Sequence, residues 1–163
     1  MAWKRNVLVV ANVTATSQEL LDALLSVATR SPASFTLILP ATAFGGGRSA
    51  ATEQLRAALA AMRAAGLEAD GVVGEADPFV AVAEAWDPKL YDEIIVSTLP
   101  MRLSKWMRAG LPERIGRHTG APVTHVVSHP AKPEFETVPV PHPEDRRAAL
   151  GPLSVLAWGP QKQ

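Results

Sequence analysis

The segment Met101-Arg102-Leu103-Ser104-Lys105-Trp106-Met107-Arg108 carries three cations and no acid. In a chain whose 16 basic and 16 acidic residues cancel, that is a local positive patch. Arg102, Lys105 and Arg108 can hold an anion through charge-assisted hydrogen bonds, and Trp106 can stack on a ring. The competing reading is a solvated loop whose Trp106 and Met107 plug a cleft. Other chemistry is sparse. Gly45-Gly46-Gly47-Arg48-Ser49 lacks the Walker spacing and reads as a flexible connection. No G-x-G-x-x-G follows the first apolar run, and no G-x-S-x-G elbow occurs. Glu75 and Asp77 are close enough for acid–base work, but Asp77 precedes Pro78 and reads as a helix cap. His118 falls at a helix C-terminus, where the dipole favours it. His125 and His129 flank a strand end with no acid nearby to complete a metal set. No nucleophile, base and orienter assemble, so no catalytic residue and no metal ligand is assigned.

The surrounding composition bounds the class. Of 163 residues 47% are hydrophobic, enough for a packed core. The balanced charge gives no basic face for nucleic acid. The lack of cysteine excludes disulfides and thiolate chemistry, and suits a reducing, cytoplasmic setting. No apolar run approaches the roughly 18 residues that cross a bilayer. Lys4 and Arg5 before Val7-Leu8-Val9-Val10-Ala11 have the start of a signal peptide, but the run is too short and reads as a buried strand.

The elements that must position these side chains follow from apolar pattern. Residues 7–12 form a short β-branched run without alternation, as in a strand covered on both faces. Thr14, Thr16 and Ser17 offer N-cap hydroxyls for a helix over about 18–29, whose Leu20, Leu21, Leu24, Leu25 and Ala28 repeat at helical spacing. Strands are expected at 34–39, 67–73, 93–97 and 123–127. Helices are expected at about 49–65, from Pro78 to about 86, and at 112–118, with Gly66 and Gly120 as stops. Residues 98–109 read as a long loop. Alternating strands and helices specify an open five-stranded parallel sheet with helices on both faces. The runs most apolar on both sides, 7–11 and 94–96, are the expected central neighbours. A ligand cleft then lies between the loops that follow them, 12–17 and 98–109.

Three stretches carry a family likeness: Tyr91-Asp92-Glu93-Ile94-Ile95-Val96-Ser97, then Gly110-Leu111-Pro112-Glu113-Arg114-Ile115 with His118, then Ala121-Pro122-Val123. Over about residues 5–128 the chain resembles the universal stress proteins. The resemblance implies a Rossmann-like sheet of the adenine nucleotide alpha hydrolase type, strand order 3-2-1-4-5, a role in stress response, and dimers formed through the last strand. Some members bind ATP and others do not, so ATP or another adenine nucleotide is the cofactor it implies. The family loop reads G-x2-G-x9-G-[ST]. Here its spacing is kept while Ser97, Pro100 and Leu111 replace the two first glycines and the hydroxyl, leaving Gly110. Pro100 has no N–H to offer a phosphate. The Asp that often ends the first strand in ATP-binding members is Asn12 here.

Half of the 14 prolines lie between Pro130 and Pro160. Residues 1–128 are therefore expected to form the domain, and 129–163 an extended or disordered Pro-rich tail. In that tail Leu150, Leu153, Leu156 and Trp158 either pack back on the domain or dock a protein partner. The primary expectation is a non-enzymatic regulatory or interaction module, homodimeric through Val123, Val126 and Val127 of the fifth strand. The alternative is a nucleotide or anion sensor using Asn12, Ser97, Arg102, Lys105, Arg108 and Gly110.

Overall fold

The computed structural model describes residues 3–41 and 46–129. The tail expected over 129–163 lies outside the described residues except for His129. So do Leu150, Leu153, Leu156 and Trp158, the expected partner segment.

Each apolar run named above becomes a strand. They are β1 (Arg5–Val10), β2 (Ala33–Pro40), β3 (Glu68–Gly74), β4 (Glu93–Thr98) and β5 (Val123–Val127). All pair in parallel in one five-stranded sheet of order β3-β2-β1-β4-β5. The helices between them are α1 (Gln18–Arg30), α2 (Gly47–Ala64), α3 (Pro78–Ala85), α4 (Lys105–Arg108) and α5 (Leu111–Thr119).

The lack of alternation in β1 has the predicted cause. Val7, Val9 and Ala11 face one core with Leu20 and Leu24 of α1 and Leu55 and Leu59 of α2. Leu8 and Val10 face a second core with Ala81 and Val82 of α3 and Leu111 and Ile115 of α5. From Val7 to Val10 both faces of β1 are fully buried. β4 repeats the arrangement beside it, with Ile95 in the first core and Ile94 and Val96 in the second. The register sets Leu8 beside Ile94, Val9 beside Ile95 and Val10 beside Val96.

Local chemistry sets the helix ends. Ser17 caps α1, its hydroxyl accepting from the Leu20 N–H at 3.2 Å. The Asp77 carboxylate accepts from Phe79 and Val80 at 2.8 and 3.2 Å, with Pro78 opening α3. Charged pairs gather at the N-terminal end of the sheet: Lys4 with Glu68, and Arg5 with Glu93 at 3.8 Å. At the opposite end, the His129 N–H donates to Glu19 at 3.1 Å. The Glu19 carboxyl is held below its ordinary pKa by its own backbone N–H in the first turn of α1, and then by that of His129.

Two details differ from the sequence expectation. The stretch 98–109 is not all loop, because Ser104 accepts from the Met107 N–H and starts the four-residue α4. Gly47, read as part of a connection, is the first residue of α2. Among the described residues no helix is long and apolar enough to cross a membrane.

Gly71 in β3 marks a close approach. A Cβ there would stand 2.6 Å from the Leu37 carbonyl oxygen and 2.8 Å from Leu55 Cδ1. Gly71→Ala must push β3 away from β2 or displace α2. It should lower stability by about 1–3 kcal/mol, the usual cost of overpacking, measured as a fall in the urea midpoint. An unchanged midpoint would mean that this contact is looser than the structure has it.

Candidate functional site

At the C-terminal ends of β1 and β4 the chain diverges. After β1 it turns into α1, over the first core. After β4 it runs through α4 to α5, over the second. Helices leaving to opposite faces open a crevice between the two loops. A cleft of about 350 Å³ occupies that place, bounded by the stretches 12–14, 97–99 and 103–106 and by Ala76 after β3.

Two lining hydroxyls, Thr14 and Ser97, belong to a chain of hydroxyls that continues to Ser128 and Ser17 outside the lining. Ser17 donates to Ser128 at 2.8 Å, and Ser97 donates to Thr14 at 2.7 Å. Thr14 in turn donates to the Ser97 carbonyl at 3.3 Å. Ser97 and Ser128 lie 3.1 Å apart with either able to donate. A hydroxyl has one proton, and that of Ser97 goes to Thr14, so Ser128 donates to Ser97. The order is therefore Ser17 to Ser128 to Ser97 to Thr14 to a backbone carbonyl, with every proton placed. Ser128 is 0% exposed, and its N–H donates to the Thr98 carbonyl at 2.8 Å. The network joins the loop after β1, the end of β4, the end of β5 and the cap of α1. Such a fully satisfied buried network fixes its members' positions.

Beside it, Thr98 directs its hydroxyl to the Leu99 carbonyl at 2.9 Å and lies 2.7 Å from His125 Nε2. The Asn12 carbonyl accepts from Ala15 N–H at 3.0 Å and from the Gln54 amide of α2 at 2.6 Å, which ties the loop after β1 to α2. The other wall is apolar: Leu99, Leu103 and Trp106, with Val13 opposite. Val13 and Leu103 are each 58% exposed at the cleft mouth.

The residues singled out in the sequence separate into two groups. Asn12, Ser97 and Lys105 line the cleft. Arg102, Arg108 and Gly110 are not among its lining, and both arginines are exposed. Gly110 takes the left-handed conformation (φ 63°) at the N-cap of α5. Leu111, where the family loop has a hydroxyl, is 1% exposed and belongs to the second core. Of the other histidines, His129 meets Glu19 at 3.3 Å and His118 sets its ring edgewise to Phe79 at 5.2 Å. Among the described residues no group of three or more His, Asp or Glu side chains could hold a metal ion. Sequence reasoning missed Thr98, Val13 and Leu103 as parts of the site, and Ser128 as the hydroxyl that meets Ser97. Ser128 had one legible signal, its place directly after the last strand.

The hydroxyl chain makes Ser97 and Ser128 interdependent. Ser97→Ala and Ser128→Ala should each cost about 1–3 kcal/mol, the usual loss for a buried group left unpaired. In a double-mutant cycle they should be coupled by at least about 0.5 kcal/mol. Additive losses in urea unfolding would mean that the hydroxyls act separately.

No protein-family model and no curated protein sequence matches the chain. Solved structures do. One is a universal stress protein in complex with cAMP, at TM-score 0.53 and 22% identity over 78% of this chain and 99% of that one. Another is the universal stress protein from Archaeoglobus fulgidus in complex with dAMP, at TM-score 0.55 and 14% identity over 77% and 99%. A third, the universal stress protein from Archaeoglobus fulgidus, has TM-score 0.54 and 15% identity over 75% and 93%. With its strand order and helices on both faces, this chain has the fold of the universal stress proteins.

Proposed function

We propose that this protein is a non-enzymatic regulatory module of the universal stress type that senses a small anion, an adenine nucleotide first of all, in the cleft between the loops after β1 and β4. The observation that carries the reading is the position of that cleft, where the sheet order reverses between β1 and β4. Two proteins of the same fold are complexes with cAMP and dAMP. Fold likeness alone would be a weak warrant; here the crevice itself is lined by Asn12, Ser97 and Lys105. A non-enzymatic role fits hydroxyls whose protons go to acceptors within the chain. ATP remains within the proposal, as do Arg102, Arg108 and Gly110 as outer contacts. The absence of cysteine fits a cytoplasmic, reducing setting.

A second reading, an interaction module working as a homodimer through β5, has its own support. β5 is an outer strand paired with β4 alone among the described strands. Val127 is 40% exposed, while Val123 and Val126 are half-buried against the two cores. The contact would then rest on the strand's open backbone edge and Val127 more than on the other two valines.

Thermal unfolding with millimolar ATP, AMP or cyclic AMP tests the sensor. A ligand at about 100 times its dissociation constant stabilises a fold by about 2.7 kcal/mol. A rise in Tm with at least one of the three is expected, and no rise with any contradicts the reading. Sedimentation at high protein concentration tests the dimer: a single monomeric species rules it out.

A further inference from the structure

Met101, Arg102, Leu103 and Arg108 are exposed together on the short stretch that follows β4. We propose that residues 101–108 form a docking element for an anionic lipid surface, a role separate from ligand binding in the cleft.

The apolar half of the element is held outward by local structure. The Pro100 carbonyl accepts from the Leu103 and Ser104 N–H groups at 2.8 and 3.1 Å, which closes a turn. Ser104, 6% exposed, anchors that turn from inside and caps α4 through the Met107 N–H. The side chains carried between these fixed points face water: Met101 is 57% exposed and Leu103 58%. Val13 adds a third exposed apolar side chain across the cleft mouth. Such a patch gains by being covered. Trp106 follows in α4, half-buried against the second core. Tryptophan is the side chain best suited to the headgroup boundary of a bilayer.

The cationic half selects the partner. Residues 101–108 hold three cations and no acid, in a chain whose charges cancel. Arg102 and Arg108 are exposed outside the cleft lining. Elements that lie in a membrane interface pair apolar side chains, which enter the headgroup region, with cations that meet the lipid phosphates. Arginine can bury its stem in the apolar layer while its head stays with those phosphates. Each cation near an anionic leaflet is worth about fivefold in affinity. An acidic protein would attract the same arginines, but it would need pockets matched to two side chains protruding from a turn. A lipid surface deforms around them and needs no such match. One short element of this kind gives weak, reversible and salt-dependent binding.

Co-flotation of the full chain with vesicles of phosphatidylcholine, alone or with about 30 mol% phosphatidylserine, tests the proposal. Binding should be at least about tenfold stronger to the anionic vesicles. It should fall as salt rises from about 50 to about 500 mM. Arg102→Gln with Arg108→Gln should weaken it about 25-fold. Met101→Ser with Leu103→Ser should weaken it about tenfold. All these positions are exposed, so both variants should keep the parent Tm. The chain has no cysteine, so Met101→Cys offers a single attachment point for a polarity-sensitive fluorophore. Its emission should shift to the blue on anionic vesicles. The same dye on Val72→Cys, exposed on β3, should stay unchanged. This labelled pair maps the docking face with both arginines in place. No binding to the anionic vesicles, equal binding to both kinds, or binding that both variants retain within about twofold, overturns the proposal. So does an equal blue shift at the two labelled positions. Capture by poly-glutamate without capture by the vesicles assigns the patch to an acidic protein and overturns the lipid proposal as well.

Discussion

The pairing of β1 with β4 is the constraint from which the rest follows. Both strands are apolar on both faces, so each must be covered on both sides, and only the middle of a wound sheet provides that. Once they are neighbours, the right-handed crossovers that follow them lead to opposite faces. The two connections then separate at the carboxyl end of the sheet, and the separation is the cleft. A cleft here is thus a consequence of where the fold reverses direction. What the site prefers is decided by the side chains that line it.

Those side chains close off much of the cleft's polarity. Parallel strands end with backbone and side-chain polar groups pointing at the ligand edge. In this chain the hydroxyls of Ser17, Ser128, Ser97 and Thr14 satisfy one another in series. The chain of hydroxyls is consequently ordered and internally satisfied, at little penalty for its burial. The walls above it are apolar, and the cationic character lies at the rim around Lys105. The positive patch of residues 101–108 is in this way split by conformation: Lys105 enters the lining, while Arg102 and Arg108 are exposed outside it.

How much of this could be read in advance follows from which forces are local. The strands, the Asp77-Pro78 helix start and the central position of Val7–Ala11 and Ile94–Val96 all come from short-range pattern and burial, and they stand in the structure as expected. The place of the cleft followed from those same runs. Its composition did not. Ser128 reaches Ser97 only because β5 ends beside β4, and Thr14 was read as one of several capping hydroxyls although its bond is to Ser97. α4 was read as loop because four residues are too few to show a period, and Ser104 before Lys105 was the one hint of it. The lack of a side chain at Gly71 is what lets β3 lie against β2 and α2.

The claim beneath the functional reading is that a ligand enters between the loops after β1 and β4. Backbone amide shifts followed by NMR during titration with AMP test it most directly. The largest changes should fall on Asn12, Val13 and Thr14 and on residues 97–106, with smaller ones at Ser17 and Ser128 transmitted through the hydroxyl chain. Changes centred instead on β3 or on the outer face of α2, with those two loops silent, would contradict it.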